Sequence, residues 1–221
     1  MPLVAAVLLG CATPNPPWSI QRENILETYR QRAAQRQVVV VDIDGTLMAG
    51  EPCQSVALFF GLGYRGAEAF KGAPDALRRL GERWDVVILT ARDDSLEART
   101  IRWLAELGIP ELPVIHSRRS LPEDEDKVAF KAAAIAELSA RGLRPAWGIG
   151  DKASDLLAYR NNGLAAAHIF DGPRDGDFIE CVEALGAAPL AIGEPSALTP
   201  AVLFYFSQDD AWSAIAERLA R

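Results

Sequence analysis

The chain has 221 residues, of which 49% are hydrophobic and 24% charged, with a formal net charge of −7 at neutral pH. This composition excludes general disorder and allows one good core, or one core with an appendage. The acidic balance gives no basic footprint for nucleic acid, so no such partner is expected and a phosphate-bearing ligand has to be recognised locally; no stretch reaches the roughly 18–20 apolar residues of a spanning helix.

Residues 1–18 read as a signal and linker. In "MPLVAAVLLGCATPNPP" a short apolar run leads to Leu8-Leu9-Gly10-Cys11 and then to a Pro-rich polar stretch. The run resembles the cleavage box of a bacterial lipoprotein signal, although no basic residue precedes it. The resemblance implies lipidation of Cys11 and a membrane partner through that anchor. It also implies a place in the bacterial cell envelope, facing the periplasm or the exterior; without the signal the chain reads as cytoplasmic. Cys53 and Cys181 read either as a disulfide in an oxidising compartment or as two separate thiols, and the cysteines and histidines form no zinc spacing. Residues 19–36, "SIQRENILETYRQRAAQR", predict a polar helical lead-in.

Residues 37–190 form the predicted domain. Four consecutive valines, Val38 to Val41, predict a strand over 38–43 that is covered on both faces. Gly45 ends it, and Asp42 and Asp44 stand at or just past its carboxyl end, where period-two geometry points them the same way. Two like charges that close repel unless a cation lies between them; a plain Asp-Gly turn is the simpler alternative. A helix is predicted near 73–82, a strand over 85–89, and a helix near 95–107 with Leu96, Trp103, Leu104 and Leu107 on one face and Gly108 as its cap. A strand over 113–117, a helix over 124–141 with an acidic start, a strand over 146–150, a helix over 153–161 and a strand over 166–170 complete the pattern. Such alternation predicts an α/β fold, a Rossmann-like parallel sheet with helices on both faces and its ligand at the carboxyl ends of the strands. Residues 191–221 read as an extension that closes with the amphipathic helix "DDAWSAIAERLAR" and carries no visible chemistry.

At the carboxyl ends of the other strands stand Thr90-Ala91-Arg92 and Gly150-Asp151, with Asp155 four residues on. Lys131 shares a helical face with Val128, Ile135 and Leu138, where an unpaired ammonium is costly, so an anionic partner is expected. The order Asp42-x-Asp44-Gly45-Thr46, Thr90, Lys131, Gly150-Asp151-x-x-x-Asp155 is similar to the haloacid dehalogenase-like (HAD) phosphohydrolase superfamily over about residues 37–171.

The resemblance implies a phosphomonoester hydrolase that works through an aspartyl-phosphate. Asp42 is then the nucleophile and Asp44 the general acid and base. Mg²⁺ is the implied cofactor, on Asp42, the Asp44 backbone carbonyl and Asp151, with Asp155 in support. Thr90 is the implied substrate contact and Lys131 the group that neutralises charge on nucleophile and phosphate; Arg92, two residues after Thr90, reads either as a substrate-binding residue at the pocket rim or as an ordinary surface arginine. "ILTAR", "AFKAAAIAEL", "GIGDKASDLLAYRNNGL" and "HIF" further resemble the domain of lipin-type phosphatidate phosphatases and related lipid-transfer proteins, which usually carry Asn where Asp151 stands. The short stretch between Asp44 and the helix near 73 reads as a minimal cap or none, so the implied partner is a phosphorylated small molecule or a lipid headgroup. The alternative, as in some relatives, is a non-catalytic lipid- or protein-binding module. His116, Arg118 and Arg119 read either as a pocket rim or as ordinary strand-end and surface residues.

Overall fold

The computed structural model describes residues 18–49, 68–109, 111–119, 121, 123–170, 176, 202–205 and 208–220. The expectations for Cys11, Cys53 and Cys181, and most of the stretch read as lacking a cap, lie outside the described residues. Among the described residues no helix is long and apolar enough to cross a membrane.

Helix α1 (Trp18–Gln31) precedes strand β1 (Val38–Val41) and a small antiparallel pair, β2 (Met48–Ala49) and β3 (Glu68–Ala69). There follow α2 (Ala73–Arg83), β4 (Asp85–Asp93), α3 (Glu97–Glu106), β5 (Val114–Ser117), α4 (Asp124–Ala140), β6 (Pro145–Gly150), α5 (Ala153–Asn161) and β7 (Ala165–Ile169). Strand β8 (Val202–Tyr205) and helix α6 (Gln208–Leu219) end the described chain. The main sheet has the order β5-β4-β1-β6-β7-β8, and all its pairings are parallel.

The valine run makes β1 the middle of this sheet, and its alternation distributes two cores. Val39 and Val41, with Val86 and Ile88 of β4, face Leu77 and Leu80 of α2, Trp103 and Leu104 of α3, and Trp212, Ile215 and Leu219 of α6. Val38 and Val40, with Val87 and Leu89, face Leu26 and Tyr29 of α1, Ile135 and Leu138 of α4, and Leu156 and Tyr159 of α5. A run with no polar alternation is what a strand covered on both faces requires.

Three features differ from the sequence reading in extent. Strand β1 stops at Val41, so Asp42 lies outside it. Helix α1 is polar on average, yet Leu26 and Tyr29 are buried, because two anchors suffice to seat a helix on the sheet. Part of the segment read as an extension belongs to the sheet: β8 pairs in register with β7, from Ala166↔Val202 to Ile169↔Tyr205, and α6 covers the first core. A partner strand so far along the chain leaves no trace in local periodicity.

At the amino-terminal end of the sheet Asp85 is buried beside the start of β1, its register partner being Val38. Arg32 donates to Asp85 Oδ1 through Nε at 2.9 Å and Nη2 at 2.5 Å, and Arg36 Nε lies 3.3 Å from the same oxygen. These contacts hold the end of α1 to the sheet.

Candidate active site

The chain leaves β1 at Asp42, whose backbone N–H donates to Ile149 O at 2.9 Å and so ties the crossing to β6. The backbone then folds back on itself: Thr46, Leu47 and Met48 N–H all donate to Ile43 O, at 3.2, 2.8 and 2.9 Å. Gly45 makes that turn with φ 77°, and a Cβ there would lie 2.0 Å from Asp151 Oδ2. Only glycine allows both the left-handed backbone and the close approach of the carboxylate.

Asp42 Oδ1 accepts from Lys131 Nζ at 2.7 Å, and the same ammonium donates a second, short hydrogen bond to Asp155 Oδ1. Lys131 reaches them from the apolar face of α4, flanked by buried Ile135 and Leu138. Asp155 is fully buried at the start of α5, where its other oxygen accepts from Lys152 N at 3.2 Å and caps the helix. Gly150 leaves it room, since a Cβ there would meet Asp155 Oδ2 at 2.6 Å. Asp151 Oδ1 accepts from Thr46 Oγ1 at 3.1 Å. Thr46 carries no role legible in the sequence beyond its place directly after Asp-x-Asp-Gly, which is the signal that points to it.

Burial is the largest influence on Asp42 and pushes its carboxyl up to about 7; Lys131 pulls it down, while the Asp155 and Asp44 carboxylates push it further up. Asp151 is raised well above the ordinary carboxylate range, by burial first and then by Asp42 and Asp155. Burial works against the charged form of Lys131, but Asp155 and Asp42 outweigh it and the pKa rises. The two partners of the Asp42–Lys131 pair therefore shift unequally. One ammonium serves two carboxylates, so it stays charged while Asp42 remains short of positive charge.

Asp42, Asp151 and Asp155 each offer an oxygen within 4.8 Å of the others, and all three residues are buried. Asp42 Oδ2 and Asp151 Oδ2 accept no hydrogen bond among the described residues, although the exposed Lys152 ammonium stands 3.7 Å from the latter. Three clustered carboxylates facing one buried lysine form a hard-oxygen donor set with a deficit of positive charge, which fits a divalent cation such as Mg²⁺.

Asp44 stands apart from that cluster. Its side chain is 47% exposed and is clamped by buried Arg92, with Nε to Oδ2 at 2.8 Å and Nη2 to Oδ1 at 2.7 Å. The structure thus places Arg92 on the second aspartate rather than free at a rim. Arg92 is itself set by Thr100 Oγ1 and Met48 Sδ, each 3.3 Å from its guanidinium. Thr90, fully buried inside β4, which runs on to Asp93 rather than ending at 89, accepts from Arg92 N at 3.3 Å. His116 is the register partner of Thr90 on β5. It is buried, neither ring nitrogen has a hydrogen-bond partner among the described residues, and its pKa falls to about 4 through burial and the nearby Arg92 and Arg22. His116, Arg118 and Arg119 all line a groove of about 730 Å³ between α1, β5 and α4, with Leu26 and Phe130 among its apolar walls.

Asp42, Lys131, Asp151 and Asp155 thus converge from two loops and two helices at the carboxyl end of a parallel sheet. The family model described as PITM 1-3, LNS2 domain matches residues 39–171, more than half of the chain, and the chain belongs to that family. Its α/β fold is that of HAD-like proteins. A HAD family hydrolase from Deinococcus radiodurans R1, solved with bound phosphate and sodium, is 14% identical at a TM-score of 0.54 over 85% of this chain and 98% of that one. The Pnkp1/Rnl/Hen1 complex contains a chain 16% identical at a TM-score of 0.50; the match covers 61% of this chain and 46% of that one, less than half its length. At these identities the likeness is one of fold. No curated protein matches the sequence.

Proposed function

We propose that the protein is a Mg²⁺-dependent phosphomonoester hydrolase that works through an aspartyl-phosphate on Asp42. The observation that carries this reading is the buried cluster of Asp42, Asp151 and Asp155 around the single Lys131 ammonium. A structural ion pair does not need two surplus carboxylates in the interior, whereas a site that takes a cation and a phosphoryl group does.

Asp42 and Asp151 are the residues that hold the metal, with Asp155 orienting Lys131. When bound, the ion supplies charge compensation between the nucleophile and the phosphoryl oxygens. A carboxylate oxygen of Asp42 attacks phosphorus and the bond from phosphorus to the ester oxygen breaks. The departing oxygen takes a proton from Asp44, giving the free alcohol. Water then attacks the phosphorus of the aspartyl-phosphate, gives a proton to Asp44, and releases inorganic phosphate with Asp42 restored. Lys131 keeps Asp42 from being fully neutralised between turnovers, and Thr90 offers its hydroxyl to a phosphoryl oxygen. Arg92 occupies both Asp44 oxygens, so at least one of these hydrogen bonds opens before Asp44 can hand a proton to the departing oxygen.

The substrate is a phosphorylated small molecule or a lipid headgroup, whose alcohol is the leaving group. A lipid tether at Cys11 keeps the enzyme at the envelope membrane; a Cys11→Ser form recovered in the membrane fraction like wild type removes that part of the proposal. The hydrolase is tested by measuring phosphate release from nucleotides, sugar phosphates and phosphatidate micelles, with and without EDTA. Mg²⁺-dependent release that Asp42→Asn abolishes supports it. Release that survives in Asp42→Asn, or absence of release from every ester, overturns it.

A further inference from the structure

Helix α6 is held at two points by indole groups. Near its carboxyl end Trp84 Nε1, from the residue just before β4, donates to Leu219 O at 2.8 Å. Near its amino end Trp212 Nε1 donates to Thr46 O at 2.9 Å. The two helix residues lie about 10 Å apart along the axis, at about 1.5 Å per residue. The helix thus spans from the amino-terminal end of the sheet to the loop that carries Asp42 and Asp44. Between these points Ile215 and Ala216 are buried in the same core as Ile43, Leu47 and Met48 of that loop.

Trp212 is fully buried, and a buried indole N–H needs an acceptor. Thr46 O is suited to that need: the N–H groups of Thr46, Leu47 and Met48 turn back onto Ile43 O, that of Gly45 goes to Met48 O, and no backbone N–H among the described residues reaches Thr46 O. The same residue's hydroxyl donates to Asp151 Oδ1, while Asp151 Oδ2 faces the Cβ-less side of Gly45. A chain of contacts therefore runs from α6 through Thr46 to a carboxylate of the metal-ligating set.

We infer that Trp212 is a positioning residue for that carboxylate. By fixing the Thr46 carbonyl it fixes the plane of the Thr46 peptide, which keeps the hydroxyl aimed at Asp151 Oδ1 and leaves Oδ2 directed at the site. Outer-layer hydrogen bonds of this kind orient ligands that would otherwise rotate away, and their loss typically weakens metal affinity about 10–100-fold. The inference rests on the metal-dependent reading above. It gives the carboxyl-terminal helix a part in the chemistry that its sequence does not announce.

The test compares Trp212→Phe with Trp84→Phe. Each removes one indole-to-carbonyl hydrogen bond at one end of the same helix, but only the first touches the catalytic loop. Mn²⁺ affinity of the metal-free full chain, read from the EPR signal of the unbound ion, is expected to fall about 10-fold in Trp212→Phe and to stay within about twofold of wild type in Trp84→Phe. Equal affinity in Trp212→Phe and wild type, or equal weakening in both variants, overturns the inference. A measurement on the wild type stands even if Trp212→Phe does not fold. With ¹⁵N-labelled tryptophan, the Trp212 indole N–H resonance is expected to move on titration with Mg²⁺ while that of Trp84 stays in place. A Trp212 resonance unmoved by saturating Mg²⁺ overturns the inference. Wild type that hydrolyses phosphoesters while Trp212→Phe keeps its Mn²⁺ affinity removes the positioning role and leaves the hydrolase standing; wild type that binds no Mn²⁺ removes both.

Discussion

Two buried aspartates stand at opposite ends of neighbouring strands, and they are treated oppositely. Asp85, at the start of β4, meets Arg32 and Arg36, two cations for one carboxylate. Asp42, just past the end of β1, shares one lysine with Asp155 and stands close to Asp151. Both are almost wholly removed from water, at 1% and 4% exposure. The first arrangement is closed in charge, since two guanidiniums meet the carboxylate at Oδ1, although Oδ2 accepts no hydrogen bond among the described residues, and it joins α1 to the sheet. The second is open, because its charge is met only when something positive arrives. Burial alone thus does not mark a functional carboxylate; a deficit of countercharge does.

The sharpest way to break this comparison is to make the same change at both ends. Asp42→Asn is expected to lower kcat by at least about 10³-fold, ~4 kcal/mol of barrier, because it removes the nucleophile while keeping its shape. In the metal-free protein it should also raise Tm, since it neutralises a carboxylate that burial already pushes up to about 7. Asp85→Asn should do the reverse, keeping kcat and lowering stability. Loss of stability on both substitutions, measured by thermal unfolding in EDTA, would show that the upper site is no less satisfied than the lower.

Lys131→Met should follow in size. Removing one partner of a buried ion pair costs about 3–5 kcal/mol, and here it leaves Asp42 and Asp155 without their shared cation. The loss should be largest near neutral pH and shrink in acid, where Asp42 becomes neutral. Lys127→Ala on the same helix, whose exposed Asp124 partner lies 2.6 Å away, should change stability by less than about 0.5 kcal/mol. Urea unfolding of the two variants at pH 5 and pH 7.5 checks both the ranking and its pH dependence. A Lys131→Met penalty independent of pH would mean that carboxylate repulsion is not its source.

Much of this contrast was legible in the sequence. The valine run announces a central strand, and Asp42, Thr90, Lys131, Asp151 and Asp155 stand at strand ends or on an apolar helix face, where their chemistry asks for a reason. The acidic cluster was legible as the partner of Lys131, which meets Asp42 and Asp155; the other partners were not, because each is remote along the chain. Arg92 finds Asp44 across 48 positions, Arg32 finds Asp85 across 53, and Trp212 finds Thr46 across 166. Local pattern states that a charge needs a partner and not which one it gets. The same limit hid β8, whose strand character depends on an edge of β7 that the preceding sequence does not advertise.

Asp85→Asn ranks below Lys131→Met. Arg32 and Arg36 are 38% and 21% exposed, so solvent screens them and they can turn to water when the carboxylate goes. A loss of about 1–2 kcal/mol is expected, discounted for that exposure, with kcat and Mg²⁺ dependence unchanged. A fall in kcat of tenfold or more would mean that α1 reaches the active site and that the two ends of the sheet are not independent.

The smallest expected effect is a pH dependence in which the two kinds of buried group oppose each other. Burial raises Asp42 to about 7, so between its ordinary 3.8 and that value the folded protein holds a proton the unfolded chain has lost. Stability from this group falls as pH rises through that window. His116 and His168 are lowered by burial from 6.5 to about 4, so there the unfolded chain holds the extra protons and stability rises with pH between those values. Asp151, also raised by burial, adds a second carboxylate of the same sign, so two carboxylates oppose two histidines: metal-free protein should show a nearly flat Tm from pH 4 to 6.5 and a decline from 6.5 through about 7, where the carboxylates alone still titrate. Saturating Mg²⁺ should abolish the decline, because it binds the deprotonated carboxylates of the folded state, and should leave the acid side unchanged. Asp42→Asn should reduce the decline without metal, leaving the part that Asp151 contributes, whereas Asp85→Asn should lower Tm uniformly across the range. A decline undiminished in Asp42→Asn would place its origin outside the carboxyl end of β1.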